Sequence, residues 1–285
     1  MALFFDYPDA PEAEFGYWGP VTSTIDWCEE NYLFSPYIAE MINSLTNIAF
    51  VLLAMHNLYT VVQNNHGWLY IFTCIGFAFV GVGSFLFHMS LLYEYQLMDE
   101  LPMVYVTALP FGYLMGYDKS PSIRTVWKVG TFVTTLLFTY IYIFVWRNPV
   151  FHQIFYAILN FGIIFKSLGA IHRLVTDEKV RRLEYKLMIL AFGLFGLGFF
   201  IWNIDNIYCS SITSFRRSVL GLPLGLLTEG HGWWHIFTGL GIYYFILYNQ
   251  VLSTWISGKQ DDYQLVWYGP FAEVKLRAIP RKKVE

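Results

Sequence analysis

Two histidines lie four residues apart near the start of the last long apolar stretch of the sequence. His231 and His235 occur in the run Gly-His-Gly-Trp-Trp-His, and on a helix this spacing places both rings on one face, where they could share a metal ion. A third histidine, His88, ends an earlier apolar stretch, with Ser84 and Asp99 close to it in sequence. Three imidazoles plus one open position form a recurring catalytic zinc site. The sequence therefore predicts a zinc ion held by the three histidines.

Ser84 and Asp99 are the residues expected to assist chemistry at that metal. Zinc makes water nucleophilic near neutral pH, and Asp99 could take the proton of that water and pass it to a leaving group. Ser84 lies one helical turn before His88, so its hydroxyl could hydrogen-bond the water or a developing oxyanion. Two alternatives stay open. A buried histidine can be a satisfied core side chain, and Ser84, close to Gly81 and Gly83, also suits close helix packing.

The composition requires a lipid environment. Of the 285 residues, 56% are hydrophobic and only 14% are charged, whereas soluble domains carry about 25% charged residues. The net charge is -3, and no basic stripe interleaves with aromatic residues as nucleic-acid binding would require. We therefore expect membrane lipid as a partner, with no nucleic acid and no obligate protein partner.

Seven apolar runs are each long enough to cross a bilayer, which takes about 20 residues per helix. Because the runs are continuous, they do not resemble the alternating strands of a membrane barrel. The predicted fold is an all-α integral membrane bundle of seven transmembrane helices over residues 36–255, between an acidic amino-terminal segment (1–35) and a basic tail (256–285). The runs are residues 36–62, 69–91, 95–115, 123–146, 151–171, 185–204 and 222–253.

The distribution of basic residues predicts the orientation of this bundle. Of the 18 Lys and Arg residues, all but Arg147, Arg216 and Arg217 fall on the side of the carboxyl-terminal tail. By the positive-inside rule, the tail is predicted to be cytosolic and the amino-terminus lumenal.

The same connectivity gathers the candidate polar residues in one half of the membrane. Even-numbered spans end, and the later odd-numbered spans begin, on the amino-terminal side. Ionisable groups at membrane depth usually face the bundle interior and mark function. Asp205 is expected to be a structural hydrogen-bond centre, with a substrate-headgroup contact as the alternative. The residues that share this half are Ser84, His88, Asp99, Asp205, His231 and His235.

The first 40 residues carry eight acidic side chains and no basic one. Residues 26–32, Asp-Trp-Cys-Glu-Glu-Asn-Tyr, offer several hard oxygens of the kind that calcium prefers. They are not an EF-hand loop, because Cys28 replaces an oxygen ligand and Asn31 stands where that loop needs glycine. Composition alone favours a solvated acidic turn over a calcium site. Cys28 and Cys209 both fall on the lumenal side, where disulfides persist, and we predict that they pair.

Several blocks of the sequence resemble the alkaline ceramidase family, in particular its type 3 branch. The resemblance covers roughly residues 16–255 and includes Ser-Thr-Ile-Asp-Trp-Cys-Glu-Glu-Asn-Tyr at 23–32 and Gly-Ser-Phe-Leu-Phe-His-Met at 83–89. It continues in Gln-Leu-Met-Asp-Glu-Leu-Pro-Met at 96–103 and His-Gly-Trp-Trp-His-Ile-Phe-Thr-Gly at 231–239. The family is similar in architecture to adiponectin receptors, which share a seven-helix bundle and a three-histidine zinc site.

The resemblance implies an enzyme that hydrolyses the amide bond of ceramide, dihydroceramide or phytoceramide to a sphingoid base and a fatty acid, in membranes of the endoplasmic reticulum and Golgi. It implies zinc on His88, His231 and His235, with Ser84 and Asp99 as catalytic partners. It also implies calcium-dependent activity. The calcium ligands that it implies are Asp26, the backbone carbonyl of Trp27, Glu29, Asn31 and Glu40.

A seven-helix receptor of the adiponectin-receptor type, in which zinc is only structural, is the alternative from another functional class. Asp99 separates the two hypotheses, because a receptor would tolerate the change Asp99→Asn and a hydrolase would not.

Overall fold

The computed structural model describes residues 5–9 and 15–277. Parts of the predicted amino-terminal segment (1–4 and 10–14) and of the predicted basic tail (278–285) lie outside the described residues. The described chain is mainly helical. Its helices are α1 Met41–Gln63, α2 Trp68–Ser90, α3 Tyr93–Gly116, α4 Pro121–Phe144, α5 Pro149–Leu174, α6 Glu178–Ile207, the short α7 Cys209–Phe215 and α8 Gly230–Ile256.

Five of these helices, α1, α2, α4, α5 and α6, are long and apolar enough to cross a bilayer, and the chain is a membrane protein. α3 and α8 are of similar length, 24 and 27 residues, but are less apolar. α3 contains Glu94, Asp99 and Glu100, and α8 contains several Tyr, Asn and Gln residues. The runs predicted at 95–115 and 222–253 correspond to these two helices.

α8 lies at the centre of the bundle and packs on α6, α1, α2 and α5. Side chains around its whole circumference are buried, including Tyr243 and Leu252. α4 lies at the periphery, where only Thr135, Phe138 and Tyr142 are buried. The helix that carries two of the candidate metal ligands is therefore enclosed by protein on several sides.

The last predicted span begins too early, because α8 starts at Gly230 and not at residue 222. The chain before it forms a short 3-10 turn, Leu224–Thr228. Pro223 has no backbone N–H to donate, and Gly221 adopts a φ of 65°, so neither residue continues an α-helix.

The first span begins too early for a different reason. α1 starts at Met41 and not at residue 36. The carboxylate of Glu29 accepts the backbone N–H groups of Ile42 and Asn43 at 2.7 and 2.8 Å. These are two of the amide groups that a helix leaves unsatisfied at its amino-terminal end. A side chain distant in sequence from these amides thus caps the first helix.

The amino-terminal segment lies against the end of the bundle where α2 meets α3. The backbone N–H groups of Ala39 and Glu40 donate to the carbonyls of Met89 and His88, each at 2.9 Å. This contact places Glu40 directly above the last turn of α2.

The described part of the tail forms a β-hairpin, which the all-α prediction did not include. β1, Tyr263–Tyr268, pairs antiparallel with β2, Phe271–Leu276, around a turn in which Gly269 has a φ of 64°. The Tyr243 hydroxyl of α8 donates to the carbonyl of Ala272 at 2.6 Å. β1 shows no alternation of apolar and polar residues, whereas β2 alternates from Ala272 to Leu276, a signal of a strand that the all-α prediction does not use.

Candidate metal centre

Three histidines meet at the end of the bundle where α2 ends and α8 begins. His88 lies in the last turn of α2, and His231 and His235 lie in the first two turns of α8. They are 0%, 5% and 3% exposed, and their ring centroids are 4.6–4.9 Å apart. One ligand nitrogen from each lies within 4.8 Å of the other two. Over residues 5–9 and 15–277, no other group of three His, Cys, Asp or Glu side chains meets in this way.

In two of the three imidazoles, Nδ1, the nitrogen that faces away from the centre, forms a hydrogen bond with a neighbouring side chain. His88 Nδ1 donates to the Glu40 carboxylate. His235 Nδ1 lies 2.9 Å from Thr46 Oγ1. The Thr46 hydroxyl donates its own hydrogen to the Ile42 carbonyl at 2.8 Å, so it accepts the N–H of the imidazole. The Nε2 atoms of His88 and His235 therefore carry lone pairs.

These lone pairs fit a metal ion. His88 Nε2 and His231 Nε2 are 3.3 Å apart, and His235 Nε2 has no hydrogen-bond partner among the described residues. Buried acceptor nitrogens that face one another are costly without a donor or a cation between them. Imidazole suits zinc, copper, iron and nickel, and ligating histidines commonly donate their other N–H to a carboxylate or another acceptor.

Trp27 covers the centre from the amino-terminal segment. Its indole stacks on the His231 ring, with centroids 4.3 Å apart and an interplanar angle of 16°. Trp202 of α6 lies beside both rings, with its centroid 5.6 Å from that of Trp27 and 6.3 Å from that of His231. The resemblance implies a role only for the backbone carbonyl of Trp27. Its side chain fixes the orientation of a candidate metal ligand and shields the centre from solvent.

Ser84 and Asp99 lie side by side where α2 crosses α3. Ser84 is 3% exposed, and its hydroxyl lies beside the carboxyl group of the half-buried Asp99. The crossing is close because residue 83 is glycine. A Cβ atom added to Gly83 would lie 2.0 Å from the backbone carbonyl oxygen of Met98. The backbones of the two helices thus touch, and this contact holds the two predicted catalytic side chains together.

Glu100 fixes the same part of α3 to two further helices. It is 6% exposed, and its carboxylate accepts hydrogen bonds from Tyr142 of α4 and, at 3.2 Å, from Gln96. His152 of α5 lies 2.9 Å from the Glu100 carbonyl oxygen. Polar contacts of this kind hold helices together within a bilayer. Asp99 therefore lies on a part of α3 that is held by α2 on one side and by α4 and α5 on the other.

Asp205, at the end of α6, supports the first turn of α8. Its side chain is 2% exposed, and Oδ2 accepts the backbone N–H of His231 at 3.3 Å. A Cβ atom on Gly230 would lie 2.6 Å from Asp205 Cβ, so the two helices meet closely here. These contacts favour the structural role expected for Asp205 over a contact with a substrate headgroup.

The calcium ligands that the resemblance implies lie in the acidic segment and at the residue before α1. Asp26 accepts from Asn31 Nδ2 at 3.4 Å, and both Asn31 Oδ1 and Glu40 Oε1 lack a partner among the described residues. Glu29 uses both carboxylate oxygens on the first amide groups of α1. Burial and the nearby Glu40 carboxylate raise the pKa of Glu29 to about 8, although the amide hydrogen bonds oppose this shift.

The predicted Cys28–Cys209 disulfide is present, with the two Cα atoms 5.4 Å apart. It joins the acidic segment to the first residue of α7 across 181 residues of sequence. Trp27 directly precedes Cys28, so the disulfide also anchors the aromatic ring that stacks on His231.

Sequence reasoning missed the partners of the imidazoles. The resemblance implies Glu40 as a calcium ligand only, and it implies no role for Thr46. A usable signal existed, because the first span also begins on the amino-terminal side of the membrane. The connectivity that places the histidines in one half of the membrane therefore places the polar residues at the start of α1 in that half as well.

Comparison with known proteins identifies similar chains. Residues 19–280 match the model of a protein family described as Ceramidase. The chain is similar to an alkaline ceramidase of Saccharomyces cerevisiae, with 38% identity over 94% of this chain and 88% of the relative. It is also similar to alkaline ceramidase 3 of Mus musculus, with 39% identity over 84% of this chain and 87% of the relative. An alkaline ceramidase of Arabidopsis thaliana is 30% identical over 80% and 82% of the two chains.

Proposed function

The chain belongs to the ceramidase family, and from that premise we propose that it hydrolyses the amide bond of ceramide at the three-histidine centre, with zinc as the catalytic metal. The observation that carries the proposal is the convergence of His88, His231 and His235, all buried, in a chain of this family. The products would be a sphingoid base and a free fatty acid.

The three histidines would hold the zinc ion through the nitrogens that face one another. When bound, zinc supplies a Lewis acid and makes water nucleophilic near neutral pH. Glu40 and Thr46 would keep His88 and His235 in the tautomer that a metal ligand requires.

Asp99 and Ser84 would move and stabilise charge during the reaction. Asp99 would accept the proton released by the attacking water and deliver it to the amide nitrogen, which leaves as the amine of the sphingoid base. Ser84 would donate a hydrogen bond to the substrate oxygen that becomes negative as the carbonyl carbon is attacked. The proximity of the two side chains at the α2–α3 crossing supports this pairing of roles.

Calcium would bind the acidic segment through Asp26, the Trp27 carbonyl, Glu29, Asn31 and Glu40. Support comes from the unpartnered Asn31 and Glu40 oxygens and from the raised pKa of Glu29 among neighbouring carboxylates, because a cation would relieve that repulsion. Glu40 also forms a hydrogen bond with His88. Calcium would therefore affect activity by holding Glu40, and through it His88, in position.

The substrate would be a ceramide, dihydroceramide or phytoceramide that enters from the surrounding bilayer. We place α1 to α6 and α8 as seven transmembrane helices, with the amino-terminus lumenal and the carboxyl-terminus cytosolic, in the endoplasmic reticulum and Golgi. The excess of basic residues on the side of the tail supports this orientation.

Metal analysis combined with a hydrolysis assay tests this function. We expect the purified protein to contain about one zinc ion per chain, to release fatty acid from ceramide, and to lose both properties on treatment with a strong chelator. Added zinc should restore the activity.

A matched pair of histidine variants sharpens the test. His231→Ala should lose zinc and turnover, whereas His172→Ala, an exposed position in the last turn of α5, should keep both. Undiminished hydrolysis by protein from which zinc has been removed would refute the assignment.

A further inference from the structure

The chain between α7 and α8 contains a buried ion pair. Arg216 Nη1 lies 2.7 Å from Glu229 Oε1, and the two side chains are 1% and 4% exposed. Arg216 Nε also donates to Thr228 Oγ1 at 3.2 Å. The ion pair therefore connects the residue that follows α7 to the residue immediately before α8.

A gain in folding stability does not by itself explain why this ion pair is buried. Removing both charges from water is costly, and a buried ion pair is often no more stabilising than apolar side chains of the same size. Arg216 Nη2 and Glu229 Oε2 also lack hydrogen-bond partners among the described residues, which adds to the cost. What the contact does provide is a fixed position for Glu229.

A fixed position for Glu229 determines where two of the histidines lie. Glu229 directly precedes α8, His231 follows it by two residues, and His235 lies one turn after His231. Because rotation and rise per residue are fixed in an α-helix, the position of the first turn sets the direction of both histidine side chains. Asp205 fixes the same turn from α6 through the N–H of His231. The first turn of α8 is thus held from two sides.

We propose that Arg216 and Glu229 are positioning residues for the metal centre: their ion pair sets the rotation and height of the first turns of α8, so that His231 and His235 face His88. This inference rests on the proposed zinc site. It assigns the zinc affinity in part to a loop contact that touches neither metal ligand nor substrate.

Zinc affinity, measured by competition with a chelator of known strength, tests the proposal. Arg216→Met and Glu229→Gln should each weaken zinc binding by about tenfold or more, the range seen when outer partners of metal ligands are altered. Because both residues act through one contact, the double variant should bind zinc no more weakly than the weaker single variant. Bound cobalt should also show an altered visible absorption spectrum in the variants.

Arg217 provides a matched control. It belongs to the same turn and forms an ion pair with Glu30 at 2.7 Å, but these side chains are 31% and 26% exposed. Arg217→Met removes the same charge without touching α8, and we expect its zinc affinity to stay within about twofold of the natural protein.

The outcomes separate this inference from the proposed function. If the natural protein binds zinc and the Arg216 and Glu229 variants bind it equally well, the positioning role is wrong while the zinc site stands. Equal losses in Arg217→Met would also overturn it, because the effect would then be a general one of charge. If the natural protein binds no zinc, both proposals fail. Should Arg216→Met not fold, the nearly isosteric Glu229→Gln decides the question.

Discussion

Each imidazole of the metal centre is held by a different kind of contact. His88 donates to the Glu40 carboxylate, and His235 donates to the Thr46 hydroxyl. His231 is instead stacked under Trp27. A carboxylate partner makes an imidazole a stronger base and a better ligand, whereas a hydroxyl mainly fixes its tautomer. The three ligands are therefore unequal, and His88 is expected to be the strongest donor.

At the scale of single residues, Asp99 carries the most decisive prediction. Asp99→Asn keeps the size of the side chain but removes its ability to accept and return a proton. We expect the turnover number for ceramide to fall by about 10²–10⁴-fold, with zinc content unchanged because Asp99 is not a ligand. The measurement is the rate of fatty-acid release by purified protein, together with its metal content.

Asp261→Asn serves as the control, because Asp261 is exposed in the turn before β1, within the described part of the tail. It should hydrolyse ceramide at the rate of the natural protein. Full activity of Asp99→Asn would show that Asp99 is not the group that transfers the proton.

At the scale of helices, the crossing of α2 and α3 brings the predicted catalytic pair together. Gly83→Ala would place a methyl group 2.0 Å from the Met98 carbonyl oxygen, so the helices must separate. We expect a loss of about 1–3 kcal/mol in stability, typical of overpacking, and a lower turnover number because Ser84 and Asp99 move apart. Thermal unfolding in detergent and the hydrolysis assay measure the two effects.

Gly130 of α4 is the matched control for this substitution. A Cβ atom there meets no other atom within 4 Å, and alanine is the better helix former. Gly130→Ala should therefore leave activity unchanged and the unfolding temperature equal or slightly higher. If Gly83→Ala behaved in the same way, close backbone contact would not be what positions the pair.

The sequence predicts the helices well and their ends less well. Apolar runs locate all seven long helices because continuous apolar runs of that length are rare outside membrane-spanning helices. The ends depend on contacts between distant residues, such as Glu29 capping Ile42, which no local pattern reveals. The meeting of His88 with the α8 histidines follows from connectivity. The roles of Glu40, Thr46 and Trp27 do not, because they require knowing which side chains face one another.

At the scale of the whole molecule, the amino-terminal segment closes one end of the bundle. It pairs with the end of α2 through Ala39 and Glu40, caps α1 through Glu29 and covers the histidines with Trp27. The Cys28–Cys209 disulfide ties this segment to the chain that follows α6. The amino-terminal segment therefore contributes both to the stability of the fold and to the burial of the metal centre.

Removing the disulfide tests this dependence. In the double variant Cys28→Ser/Cys209→Ser, the unfolded chain gains freedom across a loop of 181 residues, and we expect a loss of roughly 2–4 kcal/mol in stability. Zinc should also dissociate faster, because Trp27 is held less firmly over His231. Thermal unfolding and the rate of zinc release to a chelator measure these effects. A reductant should lower the unfolding temperature of the natural protein but not that of the double variant, since the remaining Cys74 is free and buried. An unchanged unfolding temperature in the reduced natural protein would show that the segment is held without the disulfide.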